Sequence, residues 1–394
     1  MKVKSVTFAI LSCLAVSTGL GQTAASSIPI AVDCNAGQSL NRTLAKLDKH
    51  TAFTVSVNGT CTESVQVTGF EGLTLKGTPG ATLLQPTTSP GNLFNSLLLI
   101  ESSRNVSVQG LSIQGDPASV PAVGIGHGSR DVRLRNLTIE GGGYGILIFE
   151  NSQVSIAQVT SKDPGYSSLG AYDVSDVHVE HCQFVNSTGN LWHAGMDVGA
   201  SHITMYATTI RNMQVGINAH GGSVIDIQFF NTYYPAAGST DVVIENSKGT
   251  SFYGVSIGDG GSLNVSAARL VINKPGQPWG GDTGGVLVSD DASLNASNAN
   301  LVISNSQSHG ILVSNNSHAT LAGGTVTGSQ HGGLVVANLS SIAISSGTVL
   351  ANIGGNSVDL FCDSKSLITG GANIAGAPTA QCANLLAGDS EPLP

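Results

Sequence analysis

A glycine followed by alternating apolar residues recurs along the chain from Gly145 to Gly333 and limits the possible folds more than any other feature. The clear copies begin at Gly145, Gly195, Gly216, Gly285, Gly310 and Gly333, with a weaker copy at Gly170. Most steps are roughly two dozen residues, the range of solenoid repeats. The step from Gly216 to Gly285 is 69 residues, which fits three ordinary repeats or two with long loops.

Each copy has the same internal order of short apolar segments. About seven residues after the glycine, a serine opens a second alternating segment, as at Ser152, Ser201, Ser223, Ser317 and Ser340. A third segment follows, as at Leu301, and the first turn often carries Asn or Asp, which tolerate left-handed backbone. Three strands per repeat predict one coil of a parallel β-helix. A β-sandwich, the rival, would show strand spacings of about 8–12 residues without a longer period.

The predicted fold is all-β: a single-stranded right-handed parallel β-helix with roughly 21–25 residues per coil. A capping helix is expected over 38–50, because Leu40, Leu44 and Leu47 recur at helical spacing. No boundary interrupts the repeats, so residues 26–382 form one predicted domain, and 383–394 reads as a disordered tail.

The first residues have the composition of an export signal. A short basic start is followed by an apolar run and small residues, which predicts a signal peptide over 1–25. The protein is therefore expected to be secreted, extracellular or periplasmic, without a membrane span. In that oxidising setting Cys34 can pair with Cys61, and Cys362 with Cys382, at the two ends of the body. Cys182 is expected to be a small buried residue.

The opening of the mature chain and the repeats together resemble a known superfamily. Residues 32–40 and 58–61, with Cys34 and Cys61 inside them, look like the start of many secreted bacterial β-helix proteins. The organisation resembles the pectate-lyase-like superfamily (pectin lyase fold) of right-handed parallel β-helix proteins. The resemblance implies a sugar groove along the first sheet, but the fold carries lyases, hydrolases, epimerases and non-enzymatic adhesins. The signature segments of its polygalacturonases, pectate lyases, epimerases and pectinesterases are absent.

Charge excludes some partners. A formal net charge of −9 argues against nucleic acid, whose phosphates are bound by Lys and Arg. No cofactor is predicted. Ca²⁺ could be bound by oxygen ligands of Asp241, Asp259, Asp282, Asp290 and Asp291, yet no regular calcium-binding repeat occurs. The protein is expected to be a monomer.

Aromatic residues are concentrated in the middle of the chain, and this points to the region of a binding site. All seven Tyr and both Trp fall between Tyr144 and Trp279, where the connections between strands are long. Sugar rings stack on such side chains, and loops on a rigid scaffold commonly carry binding residues. The predicted substrate-binding residues are Tyr166, Tyr172, Trp192, Asn218, Tyr233 and Trp279. The alternative is that these aromatic side chains only cover the scaffold.

Alternation along the strands predicts which acids and histidines share a face. Asp173, His193, Asp197 and His220 are expected within a few coil spacings, with Arg211 also outward. Two carboxylates suit glycoside hydrolysis, whereas an acid or His beside Arg211 suits β-elimination of a uronate. The alternative is a solvated polar ladder. His178 and His181 are expected on opposite faces, so no metal site is predicted there.

Two functions follow from these observations. The first is a secreted protein that binds or cleaves a polysaccharide or cell-surface glycan in a groove along coils 144–280; if it is an enzyme, it is a lyase or hydrolase. The second is a non-catalytic surface or extracellular protein whose β-helix is structural or adhesive. The mid-chain aromatic residues favour the first, and the missing family signatures favour the second.

Overall fold

The computed structural model describes most of the chain after the predicted signal peptide. The described residues are 27–87, 96–187, 193–228, 240–247, 253–266, 268–275, 284–297, 300–351, 358–370, 374–375, 380–382 and 385–386. The predicted signal peptide over 1–25 lies outside them. No helix among these residues is long and apolar enough to cross a membrane.

In the described residues, thirty-nine short strands wind into coils that stack as three parallel sheets. The thirteen strands of sheet 1 are β4 (Val65–Thr68), β7 (Leu98–Glu101), β10 (Val123–Gly126), β13 (Tyr144–Ile148), β16 (Ser167–Ala171), β19 (Ala194–Gly199), β22 (Val215–His220), β25 (Tyr253–Ile257), β28 (Gly284–Val288), β31 (His309–Val313), β33 (Gly332–Val336), β35 (Val358–Cys362) and β38 (Ala380–Cys382).

Sheet 2 follows sheet 1 around each coil. It contains β1 (Ile28–Asp33), β2 (Phe53–Asn58), β5 (Leu73–Gly77), β8 (Ser107–Gln109), β11 (Val132–Arg135), β14 (Gln153–Ala157), β17 (Asp176–Glu180), β20 (His202–Tyr206), β23 (Val224–Ile227), β26 (Ser262–Val265), β29 (Ser293–Ala296), the first parts of β32 (His318–Thr327) and β34 (Ser341–Ala351), β36 (Leu367–Thr369) and β39 (Leu385–Leu386).

Sheet 3 completes each coil. It contains β3 (Thr60–Thr62), β6 (Thr82–Leu84), β9 (Ser112–Gln114), β12 (Thr138–Glu140), β15 (Thr160–Lys162), β18 (Gln183–Val185), β21 (Thr209–Arg211), β24 (Val242–Glu245), β27 (Leu270–Asn273), β30 (Leu301–Ser304), the second parts of β32 and β34, and β37 (Ile374–Ala375). The predicted parallel β-helix is confirmed.

Alternation of apolar and polar residues places one face of the strands in a continuous core. In sheet 1, Val123, Ile146, Leu169, Met196 and Ile217 are in register with one another on successive coils, and all five are fully buried. Each apolar side chain therefore packs against its counterparts on the coils above and below. The sequence pattern predicts this column because side chains alternate between faces with a period of two.

The serines that precede the sheet 2 strands form a hydrogen-bonded ladder inside the corner between sheet 1 and sheet 2, called the first corner here. Ser317 is buried, and its hydroxyl accepts the Ala292 N–H at 3.2 Å, while its own N–H donates to the Ser340 hydroxyl at 3.1 Å. The recurring serine therefore supplies an acceptor for a corner N–H that no strand can satisfy. Asn315 and Asn338 in the same turns have φ near 55°, as expected for Asn at left-handed corners.

The long step between Gly216 and Gly285 contains two coils. Ile217 pairs with Val255 and Val255 pairs with Val286, so one intermediate strand, β25, separates β22 from β28. The extra residues lie in the connections around these coils rather than in a further turn of the helix. Of the two alternatives that the sequence leaves open, two coils with long loops is correct.

The N-terminal end of the stack is built from short elements. A 3₁₀ turn at Cys34–Ala36 precedes α1 (Leu40–Leu44), which buries Leu40 and Leu44. The Asn41 side chain binds the backbone of the β4 segment at Gln66 and Ser64. The predicted capping helix over 38–50 is not confirmed, because only five residues are helical. Residues 45–50 form turns instead, one of them bonded through the Asp48 carboxylate to the His50 N–H.

Both predicted disulfides are present, one at each end of the helix. Cys34 is bonded to Cys61, and Cys362 to Cys382. Cys182 is a free, buried thiol in the middle of the stack, as expected, and burial raises its pKa to about 12. Leu385 and Leu386, within the range predicted as a disordered tail, form β39 and pair with β36; the other residues of 383–394 lie outside the described chain.

Candidate functional site

Polar and aromatic side chains gather on the outer face of sheet 1 in its middle coils. Strand register aligns Gly170, Asp197 and Asn218 across β16, β19 and β22, and it aligns Gly199 with His220. The neighbouring Leu169, Met196 and Ile217 point into the core, so the aligned polar residues face outward. Residues 21 to 27 positions apart in the sequence therefore become neighbours.

Asp197 lies at the centre of this group. Its Oδ2 accepts a hydrogen bond from the Tyr172 hydroxyl at 2.6 Å, and its Oδ1 accepts one from Asn218 Nδ2 at 2.9 Å. The Nε2 atom of His220 lies 3.4 Å from the same Oδ1. The Asp197 side chain keeps 26% of its surface exposed, so the carboxylate is held in place and still accessible to a ligand.

Three tyrosines extend the group toward the N-terminal coils. The Tyr144 and Tyr166 rings are stacked with centroids 5.8 Å apart, and the Tyr144 hydroxyl lies 3.4 Å from that of Tyr172. Tyr166 is 57% exposed and presents an aromatic surface to solvent. The set Tyr144, Tyr166, Tyr172, Asp197, Asn218 and His220 is called the sheet 1 cluster below.

Two glycines make room for these rings on the sheet. A Cβ at Gly170 would lie 2.9 Å from two ring carbons of Tyr144 and 3.0 Å from one of Tyr172. A Cβ at Gly199 would lie 2.9 Å from both His220 Cε1 and Tyr172 Cδ1. Contacts this short do not occur between real side chains, so the absence of a side chain at Gly170 and Gly199 fixes where the rings lie.

The protonation state of Tyr172 follows from its surroundings. Burial raises the pKa of this hydroxyl far above its usual range, and the neighbouring Asp197 charge raises it further. Tyr172 is consequently a hydrogen-bond donor at neutral pH and keeps one lone pair of the Asp197 carboxylate occupied. The remaining lone pairs of Asp197 can accept hydrogen bonds from a ligand hydroxyl.

Arg211 lies apart from this cluster. It is on β21 of sheet 3, where its Nε donates to Glu245 Oε2 at 2.8 Å. Strand alternation correctly places it outward but says nothing about which sheet it is on. The pairing of an acid or His with Arg211, on which the predicted elimination chemistry depends, is therefore not formed with Asp197 or His220.

Asp173 lies beyond the end of a sheet 1 strand, and His193 is buried rather than outward. Asp173 is exposed in the corner after β16, with φ of 59°, and its carbonyl accepts the Asn151 N–H. His193 is buried just before β19, and its Nδ1 has no hydrogen-bond partner among the described residues. Burial lowers the pKa of His193, so the ring is neutral at pH 7.

The predicted binding residues are divided between the cluster and the undescribed loops. Tyr166, Tyr172 and Asn218 belong to the sheet 1 cluster. Trp192, Tyr233 and Trp279 lie outside the described residues. Sequence reasoning missed Tyr144 as a site residue, although its position directly before the repeat glycine Gly145 was a usable signal.

A second group, on the outside of sheet 2, was also missed. Glu180 is buried and accepts a hydrogen bond from the Tyr206 hydroxyl, and His178 Nε2 lies 3.4 Å from the same carboxylate oxygen. The rings of His178 and His181 both contact the Tyr206 ring, with centroids 5.8 and 5.6 Å away. The expectation that the two histidines face opposite ways is wrong, because His181 follows the end of β17 with φ of 53°.

Metal ligands do not converge at either group. Among the described residues, Cys34, Cys61 and Glu63 form one set with ligand atoms close enough to share an ion. Both cysteines are in a disulfide, and Glu63 accepts hydrogen bonds from Leu40 N and the Ser39 hydroxyl. This set is therefore structural.

Three of the five aspartates considered for Ca²⁺ bond other side chains. Asp241 bonds Arg269, while Asp290 and Asp291 accept from the amides of Asn315 and Asn316.

Several solved structures are similar to this chain at very low sequence identity. The catalytic domain of a GH87 α-1,3-glucanase in complex with nigerose matches with a TM-score of 0.51 and 11% identity, covering 92% of this chain and 68% of that one. The receptor-binding tailspike of bacteriophage Det7 matches with a TM-score of 0.44 and 12% identity, covering 90% and 76%. A surface adhesin of Streptococcus pneumoniae matches with a TM-score of 0.41 and 13% identity, covering 91% and 92%.

Sequence comparisons return no relative. No protein-family model matches the chain, and no curated protein matches it. The structural likeness therefore shows the architecture alone: the chain is a parallel β-helix protein, and its activity must be argued from its own site.

Proposed function

We propose that this protein is exported and binds a polysaccharide or cell-surface glycan on sheet 1, at the sheet 1 cluster. The observation that carries the proposal is the Asp197 carboxylate, held by Tyr172 and Asn218 beside the exposed Tyr166 ring, which stacks on Tyr144. Sugars combine apolar ring faces with many hydroxyls. An aromatic surface next to an oriented acceptor and an amide donor supplies partners for both.

The arrangement of acids favours binding over hydrolysis. Glycosidases of both stereochemical classes use a pair of carboxylates across the scissile bond. Among the described residues, the sheet 1 cluster contains one carboxylate, Asp197, and the expected second, Asp173, is in an exposed corner. The α-1,3-glucanase with the same fold was solved with nigerose bound, which supports the capacity of this architecture to hold a saccharide.

Export is part of the proposal. Two disulfides tie the ends of the body, and such bonds persist in oxidising compartments outside the cytoplasm. With the basic and apolar start of the sequence, they support a signal peptide over 1–25 and a secreted, extracellular or periplasmic location.

Catalysis is the second candidate, favoured by one contact. His220 and Asp197 lie 3.4 Å apart and could exchange a proton with a bound sugar. In that case the protein would release new reducing ends or unsaturated uronates from a polysaccharide. Neither product is expected if the cluster only binds.

The test combines binding and turnover assays on the purified mature protein. A panel of soluble polysaccharides is screened by affinity electrophoresis and calorimetry, with reducing ends and absorbance of unsaturated uronates followed in parallel. Asp197→Ala and His220→Ala are each expected to weaken binding about tenfold or more, since a lost hydrogen bond to a charged group costs roughly 1.5–3 kcal/mol.

Asn295→Ala is the matched control, an exposed polar residue on β29 of sheet 2, and it should bind like the parent protein. Unchanged affinity in Asp197→Ala and His220→Ala would refute the site. Absence of binding and turnover on every polysaccharide would refute the proposed function. The alternative of a non-catalytic, structural β-helix would then stand.

A further inference from the structure

The described strands of the sheet that carries the sheet 1 cluster have no cationic residue. None of the thirteen strands of sheet 1 contains Lys or Arg. The outward residues aligned with the cluster are Asp197, Asn218 and Ser256, followed by Leu287 on the next coil. The basic side chain of the cluster is His220, and its Nε2 atom lies 3.4 Å from Asp197 Oδ1.

In the part of the middle coils that the structure describes, the cationic residues within strands are on the other two sheets. Arg133 and Arg135 are on β11 of sheet 2. On sheet 3, Lys162 ends β15 and Arg211 ends β21, where Glu245 pairs with the Arg211 guanidinium. Arg269 is likewise bonded to Asp241 at 2.6 Å. Within the described strands of the middle coils, positive charge is therefore confined to sheets 2 and 3, and the exposed Lys274 follows β27 of sheet 3 in a corner.

An acidic polymer would meet a carboxylate at the centre of this site. A uronate placed against Asp197 would bring two negative charges together, and their repulsion is stronger where solvent is excluded. The net charge of −9 adds a repulsive field over longer distances. A neutral sugar hydroxyl instead donates to the free lone pairs of Asp197 and accepts from Asn218 Nδ2 or His220.

From this charge distribution we infer that the ligand of the sheet 1 cluster is a neutral polysaccharide, not a uronate-containing or sulfated one. The inference rests on the proposed function and specifies its substrate class. An acid or His beside Arg211 would instead have suited a uronate-containing polymer, and the inferred ligand class differs from that one.

The experiment compares polymers that differ in charge. Binding of the mature protein is measured for neutral glucans, mannans and galactans, and for polygalacturonate, alginate and carboxyl-reduced polygalacturonate. At least one neutral polymer is expected to bind, tenfold or more tightly than any uronate, with less than a twofold change between 50 and 500 mM NaCl. Carboxyl-reduced polygalacturonate is expected to bind better than its charged parent.

A charge variant tests the cause. Asp197→Asn keeps the size of the side chain and removes its charge, so the ratio of neutral to uronate affinity is expected to fall severalfold. The matched control is Asp176→Asn on β17 of sheet 2, an exposed carboxylate that should leave the ratio unchanged.

The possible failures are distinguishable. Tightest binding to a uronate, weakened by salt, would overturn the neutral-ligand inference and leave the proposed function standing. Equal effects of Asp197→Asn on both polymer classes would overturn the charge mechanism. Binding to no polymer would overturn the inference together with the proposed function.

Discussion

At the scale of single residues, Glu180 is a charged side chain that is buried on the outer face of sheet 2. It lies on β17 with 8% of its side chain exposed, yet it stays ionised because Tyr206 donates to it and His178 lies beside it. The His178 contact is the largest cause that holds the pKa of Glu180 below its usual value; burial opposes it, and the Tyr206 hydrogen bond lowers the pKa further. The folded state therefore favours the charged carboxylate.

A pH dependence of stability follows. Because the pKa of Glu180 is lower in the folded protein than its ordinary value of 4.5, the ionised carboxylate stabilises the fold at pH values above 4.5. This contribution is lost as the pH falls from 4.5 through the lower pKa of the folded state. Glu180→Gln is therefore expected to lower the free energy of unfolding by about 1–2 kcal/mol at pH 7. The difference from the parent should shrink by pH 3.5, as measured by urea unfolding at both pH values.

The control for this prediction is Glu140→Gln, on an exposed position of β12. It should change stability little at either pH. A Glu180→Gln deficit that is equally large at pH 7 and pH 3.5 would show that packing, rather than charge, causes it.

At the scale of strands and coils, glycine decides where aromatic side chains lie on the sheet. Gly170 and Gly199 occupy outward positions of β16 and β19, where any side chain would collide with Tyr144, Tyr172 or His220. The rings therefore lie over neighbouring strands and hold Asp197 from both sides. The repeat glycines such as Gly195 have another role, because a Cβ there would meet Ile210 of sheet 3 inside the coil.

Gly199→Ala is accordingly expected to weaken glycan binding about threefold to tenfold while the protein stays folded. The added Cβ would push Tyr172 and His220 away from their contacts with Asp197, losing roughly 1 kcal/mol of hydrogen bonding. Affinity for the ligand found in the polysaccharide panel is measured by calorimetry, and folding by circular dichroism.

Gly258→Ala serves as the comparison, since it pairs with no ring and its Cβ would lie 3.6 Å from Ser289 Oγ, an ordinary contact. Parent-like binding is expected for it. If Gly199→Ala bound as tightly as Gly258→Ala, the glycine would not be needed to position the cluster.

At the scale of the whole molecule, stability is local because each coil contacts only its neighbours. The two disulfides lie at the ends of the stack, where a coil has one neighbour instead of two. The Cys34–Cys61 bond joins the 3₁₀ turn at Cys34–Ala36 to β3, and the Cys362–Cys382 bond joins β35 to β38. Each bond therefore stabilises an end rather than the middle.

Loss of the first disulfide should affect one end of the helix. Cys34→Ala/Cys61→Ala is expected to remove about 2–5 kcal/mol of local stability. Amide hydrogen exchange should become faster in β1, β2 and β3 and stay unchanged in β16, β19 and β22. A uniform loss of protection along all coils would show instead that the helix unfolds as one cooperative unit.

Much of the architecture is determined by the sequence itself. Strand alternation, the recurring serine at the first corner, the left-handed Asn residues and the two cysteine pairs are all local or end-marking signals, and the structure confirms each. The repeat period alone, however, does not determine the number of coils between Gly216 and Gly285. That number follows from the pairing of β25 with both β22 and β28.

The composition of the site was decided by the tertiary structure. Asp197 meets Tyr172 and Asn218 across separations of 25 and 21 residues, so each contact depends on the lengths of the loops between coils. The same loop lengths place Asp173 in a corner and Arg211 on another sheet. Sequence alternation tells whether a side chain points in or out, whereas only the path of the chain determines which outward side chains become neighbours.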